Sequence, residues 1–114
     1  MPSPDYTQRL KGHLDLLLLA LLQGGPLHGY AITERLRLLS ANTFDLPDGT
    51  IYPALHRLEQ AGLLTSWWSD ETARRRRLYA LTAQGHATLA DGRQEWQMFA
   101  QGVEAILFGG GTGA

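Results

Sequence analysis

Glycine and proline cut this chain into short pieces, and that punctuation limits its fold more than any other feature. A leucine-rich helical stretch runs from about Lys11 to Gln23 and then meets Gly24, Gly25 and Pro26. Two glycines end a helix well, and a proline cannot continue one. A second helical pattern, Leu27 to about Leu39, places Leu27, Tyr30, Ala31 and Leu38 at helical spacing. The segment SANTFDLPDG that follows is a loop by composition. A third helix then runs to a stop at Gly62, with Asp48 as its expected N-cap and Thr50 as the alternative. Ile51, Leu55 and Leu58 share one face of it and should point to the core. Pro53 falls within the first turn or just past it, where its missing N–H costs little if Thr50 is the cap and somewhat more if Asp48 is. No piece suits a membrane: the most apolar run, Leu16 to Leu22, has seven residues, against the ~20 that a span needs.

After Gly62 the pattern changes. Leu63 to Trp68 (LLTSWW) has strand composition, SDETA is turn-like, and Arg76 to Leu81 read as a returning strand with Tyr79 and Leu81 on one face. Trp67 and Trp68 are adjacent on a strand, so one should point inward. Thr82 is a plausible N-cap for a last helix over about Ala83 to Phe108, and the tail GGGTGA should be disordered. The expectation is a mainly α fold with a small β-hairpin: a winged helix-turn-helix over residues 1–82, a long C-terminal dimerisation helix over 83–108, and a tail over 109–114. In that arrangement the third helix enters a major groove and the hairpin lies against the backbone.

Charge gives the hairpin a task. The chain has 114 residues, a hydrophobic fraction of 44% and a formal net charge of −1, so it should fold as one domain. Yet four of its ten basic residues stand in a row, Arg74, Arg75, Arg76 and Arg77. Like charges repel, so something outside the chain should compensate them; the alternative is a solvated loop. Guanidinium suits phosphate oxygens. On a strand, Arg74 and Arg76 would face opposite to Arg75 and Arg77.

Other candidates sit on the helices. Opposite the buried stripe of the third helix lie Tyr52, Pro53, His56, Arg57 and Gln60, with Thr50 at its start. These can touch phosphate or base edges, although Tyr52 packed under the hairpin is the alternative. His28 and Tyr30 open the second helix, whose free N–H groups can receive a phosphate; the alternative is that both hold helix two against helix three. On the last helix, Leu89, Gly92, Trp96, Phe99, Val103 and Ile106 are spaced three, four, three, four, three, a heptad-like seam. An exposed apolar stripe usually finds a partner; packing on its own domain is the alternative. Trp96 and its copy across a two-fold axis would frame a slot for a flat aromatic molecule, or simply form interface core.

Several classes are excluded. The chain lacks cysteine, which removes thiolate chemistry and suits a reducing, cytoplasmic setting. No secretory signal is visible. His13, His28, His56 and His86 have no metal-ligand spacing, and no nucleophile elbow or phosphate loop is present. No catalytic site, cofactor or metal is expected.

The runs GPLHGYAI (Gly25 to Ile32), DGTIYPALHRLEQAGLL (Asp48 to Leu64) and RRRRLYALTAQG (Arg74 to Gly85), with a tryptophan-bearing last helix, resemble the PadR family of bacterial transcription regulators. The resemblance spans roughly residues 10 to 100. It implies a winged-helix homodimer on double-stranded DNA, built by the C-terminal helix packing on the partner's N-terminal helix. It also implies a role for Tyr52 at DNA and, as in some small members, a flat aromatic effector at Trp96. Ala73 replaces a common glycine before the basic run, and Asp48 a common serine. The expected function is thus a homodimeric repressor on a palindromic operator. The competing class is a winged-helix module that binds another protein, which would have no need of four arginines.

Overall fold

A computed structural model of the chain describes residues 6–70 and 75–109. Arg74, Ala73 and tail residues 110–114 lie outside the described residues. The elements in order are α1 (Leu14–Leu21), β1 (Leu27–His28), α2 (Gly29–Leu39), α3 (Asp48–Gln60), β2 (Leu64–Ser69), β3 (Arg76–Leu81) and α4 (Ala83–Glu104). A π-helical turn, Ala105–Gly109, prolongs α4. The architecture is the expected one, mainly helical with a small sheet and a long last helix.

The core is aliphatic and shared by every helix. Leu18, Leu19 and Leu22 meet Ile32 and Leu36 of α2, Ile51, Leu55 and Leu58 of α3, Leu64 and Tyr79 of the sheet, and Leu89 of α4. Among the described residues no charged group is buried, and the Tyr79 phenol is the one hydroxyl in this buried cluster.

The sheet has three strands in the order β1-β3-β2, all antiparallel. Sequence periodicity places Leu27 and His28 in the second helix. They instead pair with Tyr79 and Leu78 on β3. The free edge of β3 offers a row of unpaired backbone groups, which these two residues satisfy. Helix α2 therefore starts at Gly29. Its buried residues are Ile32 and Leu36, whereas Tyr30 and Leu38 are exposed. Helix α1 is also shorter than its leucine pattern: Gly12 adopts φ +85°, and the helix begins at Leu14.

Helix α3 has the expected inner face, Ile51, Leu55 and Leu58, with Ala54 added. Its N-cap is Pro47 rather than Asp48. The Pro47 carbonyl accepts from the N–H groups of Thr50 and Ile51, and Asp48 makes no side-chain cap bond. Asp48 lies in the first turn, where its charge still favours the positive end of the helix. Pro53 is the sixth residue of α3, one position further in than an Asp48 cap would place it and three further than a Thr50 cap. At the other end Gly62, at φ +81°, donates to Glu59 O, and Leu63 N donates to Leu58 O. This is the Schellman closure that glycine makes possible. Neither Trp67 nor Trp68 is core; both are exposed, against the expectation that one points inward.

Thr82 ties the ends of these elements together. Its N–H donates to Leu63 O (3.1 Å) and its hydroxyl donates to Gly62 O (2.7 Å). The same hydroxyl accepts from Gly85 N (3.0 Å), which makes Thr82 the expected N-cap of α4. Gly85 is buried, and a Cβ there would overlap the Leu63 carbonyl oxygen, a backbone atom that cannot swing away. Gly85→Ala should therefore lower unfolding free energy by about 1–3 kcal/mol, the usual cost of overpacking. Gly49→Ala, where a Cβ meets nothing, should change it by less than ~1 kcal/mol. Urea denaturation of the two variants checks the contrast.

Candidate nucleic-acid interface

Three elements converge on the outer face of α3. Tyr52, Pro53, His56, Arg57 and Gln60 are all exposed, and Thr50 is half-buried at the start. This is the face left over when Ile51, Leu55 and Leu58 turn inward. The Tyr52 ring lies against the first residue of α2: a Cβ built on Gly29 would sit 2.8 Å from the Tyr52 hydroxyl. Beside it opens a groove of about 370 Å³ bounded by His28, Gly29, Tyr30, Tyr52, Arg76, Arg77 and Tyr79. Five residues chosen from sequence, His28, Tyr30, Tyr52, Arg76 and Arg77, thus meet around one opening. Tyr79, which the sequence places only on a strand face shared with Leu81, joins them. Burial pushes both the Tyr52 and Tyr79 phenols up from their ordinary range. Asp48 adds to the rise at Tyr52, while Arg77 opposes it at Tyr79. Both hydroxyls stay protonated at neutral pH and can donate.

Thr50 and Arg57 lie on the opposite flank of α3. They line a separate cleft of about 280 Å³ with Thr7, Lys11 and Asp15 among others. Arg57 is ion-paired with Asp15 of α1. Arg57 is exposed and Asp15 half-buried, and surface pairs contribute little, so Arg57 is loosely held. Lys11 is exposed in this cleft and escaped notice because it lies far from α3 in sequence.

The wing bears its arginines on both faces of β3. Arg75 and Arg77 share a face, as strand alternation requires: their guanidinium carbons lie 5.0 and 5.3 Å from the centroid of the Trp68 ring. The Arg75 Nε is 3.9 Å from Asp70 Oδ1, and an Arg77 nitrogen is 3.7 Å from Glu59 Oε2. Neither separation is a hydrogen bond. Arg76 has no acidic partner among the described residues.

The last helix carries a second surface. Leu89, expected on a partner-facing seam, is buried in the core of its own chain, and a Cβ on Gly92 would strike the Leu16 side chain. The seam therefore begins as packing of α4 on α1. Beyond it, Trp96, Phe99, Val103 and Ile106 are exposed, joined by Met98, Leu107 and Phe108, with Ile106 and Phe108 above 80%. His13 leans on Trp96 and Phe99, at centroid distances of 5.3 and 6.2 Å. Trp96 borders two grooves: one of about 450 Å³ with Tyr6, Phe44 and Leu17, the other of about 510 Å³ between α1 and α4. Among the described residues no cluster of His, Asp or Glu could hold a metal, and no helix is long and apolar enough to cross a membrane.

Comparison with known proteins agrees with this layout. The model of the PadR-like transcriptional regulator family matches residues 18–91. The transcriptional regulator Rv3488 of Mycobacterium tuberculosis is 36% identical over 88 residues, covering 75% of this chain and 79% of that protein. A PadR family transcription regulator from Clostridium difficile superposes with a TM-score of 0.75 at 33% identity, covering 84% of this chain and 99% of the other. A PadR-like transcriptional regulator from Bacillus cereus superposes at 0.79 with 27% identity, covering 90% and 98%.

The packing of Gly29 against Tyr52 is open to test. An alanine at Gly29 must displace the outer end of a surface ring, which can swing. Gly29→Ala should cost about 1 kcal/mol, the low end for overpacking, and should shift the Tyr52 ring resonances in NMR spectra. Unchanged Tyr52 resonances would contradict the packing.

Proposed function

The chain belongs to the PadR-like family of transcriptional regulators, and from that premise we propose that it acts as a homodimer that binds a palindromic operator in double-stranded DNA and represses transcription. The observation that carries this reading is the convergence of His28, Tyr30, Tyr52, Arg76 and Arg77 on one groove beside the exposed face of α3. In each head, up to about residue 82, α3 enters the major groove. There Tyr52, Pro53, His56 and Gln60 face base edges, and Thr50 meets the backbone. Arg57 joins them on release from Asp15. His28 and Tyr30, at the N-terminal end of α2, contact phosphate. The wing, Arg74 to Arg77, clamps the neighbouring backbone.

The arm from residue 83 joins two heads. Trp96, Phe99, Val103 and Ile106, extended by Leu107 and Phe108, offer an exposed apolar face of the kind that monomers rarely keep. Two-fold pairing brings two copies of Trp96 near one axis. A small flat aromatic effector between the indoles would alter how the arms cross, and with it the spacing of the heads. Half-sites should then lie one or two turns apart. Such a regulator works in the cytoplasm, with no membrane or cofactor.

The wing tests the reading. The double variant Arg75→Ala, Arg76→Ala should bind the DNA upstream of its own gene at least ~10-fold more weakly at physiological salt. The log–log salt slope should become shallower by about 0.9 for each phosphate that the variant leaves unneutralised. Fluorescence anisotropy at several salt concentrations measures both. Equal affinity and slope in variant and wild type would remove the wing from the mechanism.

A further inference from the structure

The two tryptophans of the hairpin have no part in the function described so far. Trp68 is half exposed at the far end of β2, outside the core. It faces Arg77 directly across the ladder, and Arg75, two residues back on the same face, is its diagonal neighbour. Both guanidiniums lie over its ring, at 5.0 and 5.3 Å from the centroid. No other aromatic ring pairs with it among the described residues.

We propose that Trp68 is the positioning residue of the wing: its indole holds Arg75 and Arg77 by their faces and leaves their edges free for phosphate. The inference rests on the DNA-binding reading and explains how its basic run is presented. A guanidinium attracts an aromatic ring through its flat face, while its N–H donors point outward in its own plane. A phosphate takes that in-plane fork. The two interactions therefore do not compete, in contrast to a carboxylate, which takes the same edge as phosphate. Asp70 and Glu59 stand at 3.9 and 3.7 Å, close enough to offset repulsion between the arginines but too far to occupy their donors, and the Tyr79 hydroxyl engages one donor of Arg77 and leaves the rest of its fork open.

Glu59 fixes the assembly to α3. Its carboxylate accepts the Ser66 hydroxyl of β2 at 2.6 Å and lies beside Arg77 of β3. Trp68 and Glu59 together set the guanidiniums at a defined distance from the end of the inserted helix. Arginines left loose would lose rotamer freedom on binding, a cost that a pre-ordered pair avoids.

The experiment compares Trp68→Leu with Trp68→Phe, alone and in an Arg75→Lys, Arg77→Lys background that keeps charge but removes the planar fork. Binding is read by anisotropy on the duplex upstream of the gene and on a mixed-sequence duplex, with melting temperature and sedimentation as controls. Trp68→Leu should weaken binding to both duplexes by roughly 10-fold, as removal of two cation–π interactions implies. Its salt slope and melting temperature should stay those of wild type. Trp68→Phe, which keeps a π face, should recover most of the affinity. In the lysine background, where an ammonium keeps its attraction to the ring but has no planar fork to orient, Trp68→Leu should weaken binding by clearly less. Wild-type affinity in Trp68→Leu, or an equal weakening in the lysine background, would overturn the proposal. Failure of the wild-type protein to bind either duplex would instead sink the DNA-binding reading itself.

Discussion

One threonine holds the parts of this molecule in register. Thr82 meets the last turn beyond α3 at Gly62, the strand that follows at Leu63, and the first turn of α4 at Gly85, through three hydrogen bonds of 2.7 to 3.1 Å. Each such bond contributes only about 1 kcal/mol. Their consequence is geometric: the helix proposed to read DNA, the hairpin proposed to clamp it and the arm proposed to dimerise all leave one small knot. Gly62 and Gly85 make the knot possible, the first by its positive φ and the second by leaving space for the Leu63 carbonyl. With the ends tied, a change in how two arms cross in the proposed dimer would move whole heads.

The basic run poses the opposite problem, that of holding like charges together without spending their donors. The sheet answers it by alternation. Arg75 and Arg77 lie over the Trp68 ring, and Arg76 borders the tyrosine-lined groove, which Arg77 also reaches. A net charge of −1 for the whole chain is thus compatible with one locally cationic surface. The acidic residues near that surface modulate it at distances longer than a hydrogen bond.

Much of this was legible in the sequence wherever a local rule applied. The inner face of α3 followed from strict helical spacing, its end from Gly62, the start of α4 from a threonine ahead of a helix former, and the faces of β3 from alternation. The misreadings have a shared cause in tertiary structure. Nothing local marks Leu27 and His28 as a strand, because their pairing partner is β3, some fifty residues on. Periodicity finds the apolar stripe of α4 but not what covers it, so Leu89 was assigned to a partner although its own core closes over it. The Arg57–Asp15 pair spans 42 residues, and the tyrosine groove joins α2, α3 and β3. Pro47 as N-cap was hidden because its carbonyl, not its side chain, meets the first N–H groups.

The most direct test is hydroxyl-radical footprinting of the purified protein on the DNA upstream of its own gene. Paired heads, each with an inserted helix and a backbone-clamping wing, predict two protected patches related by a dyad, their centres about one or two helical turns apart. A single unpaired patch, or no protection by folded protein at low salt, would contradict it.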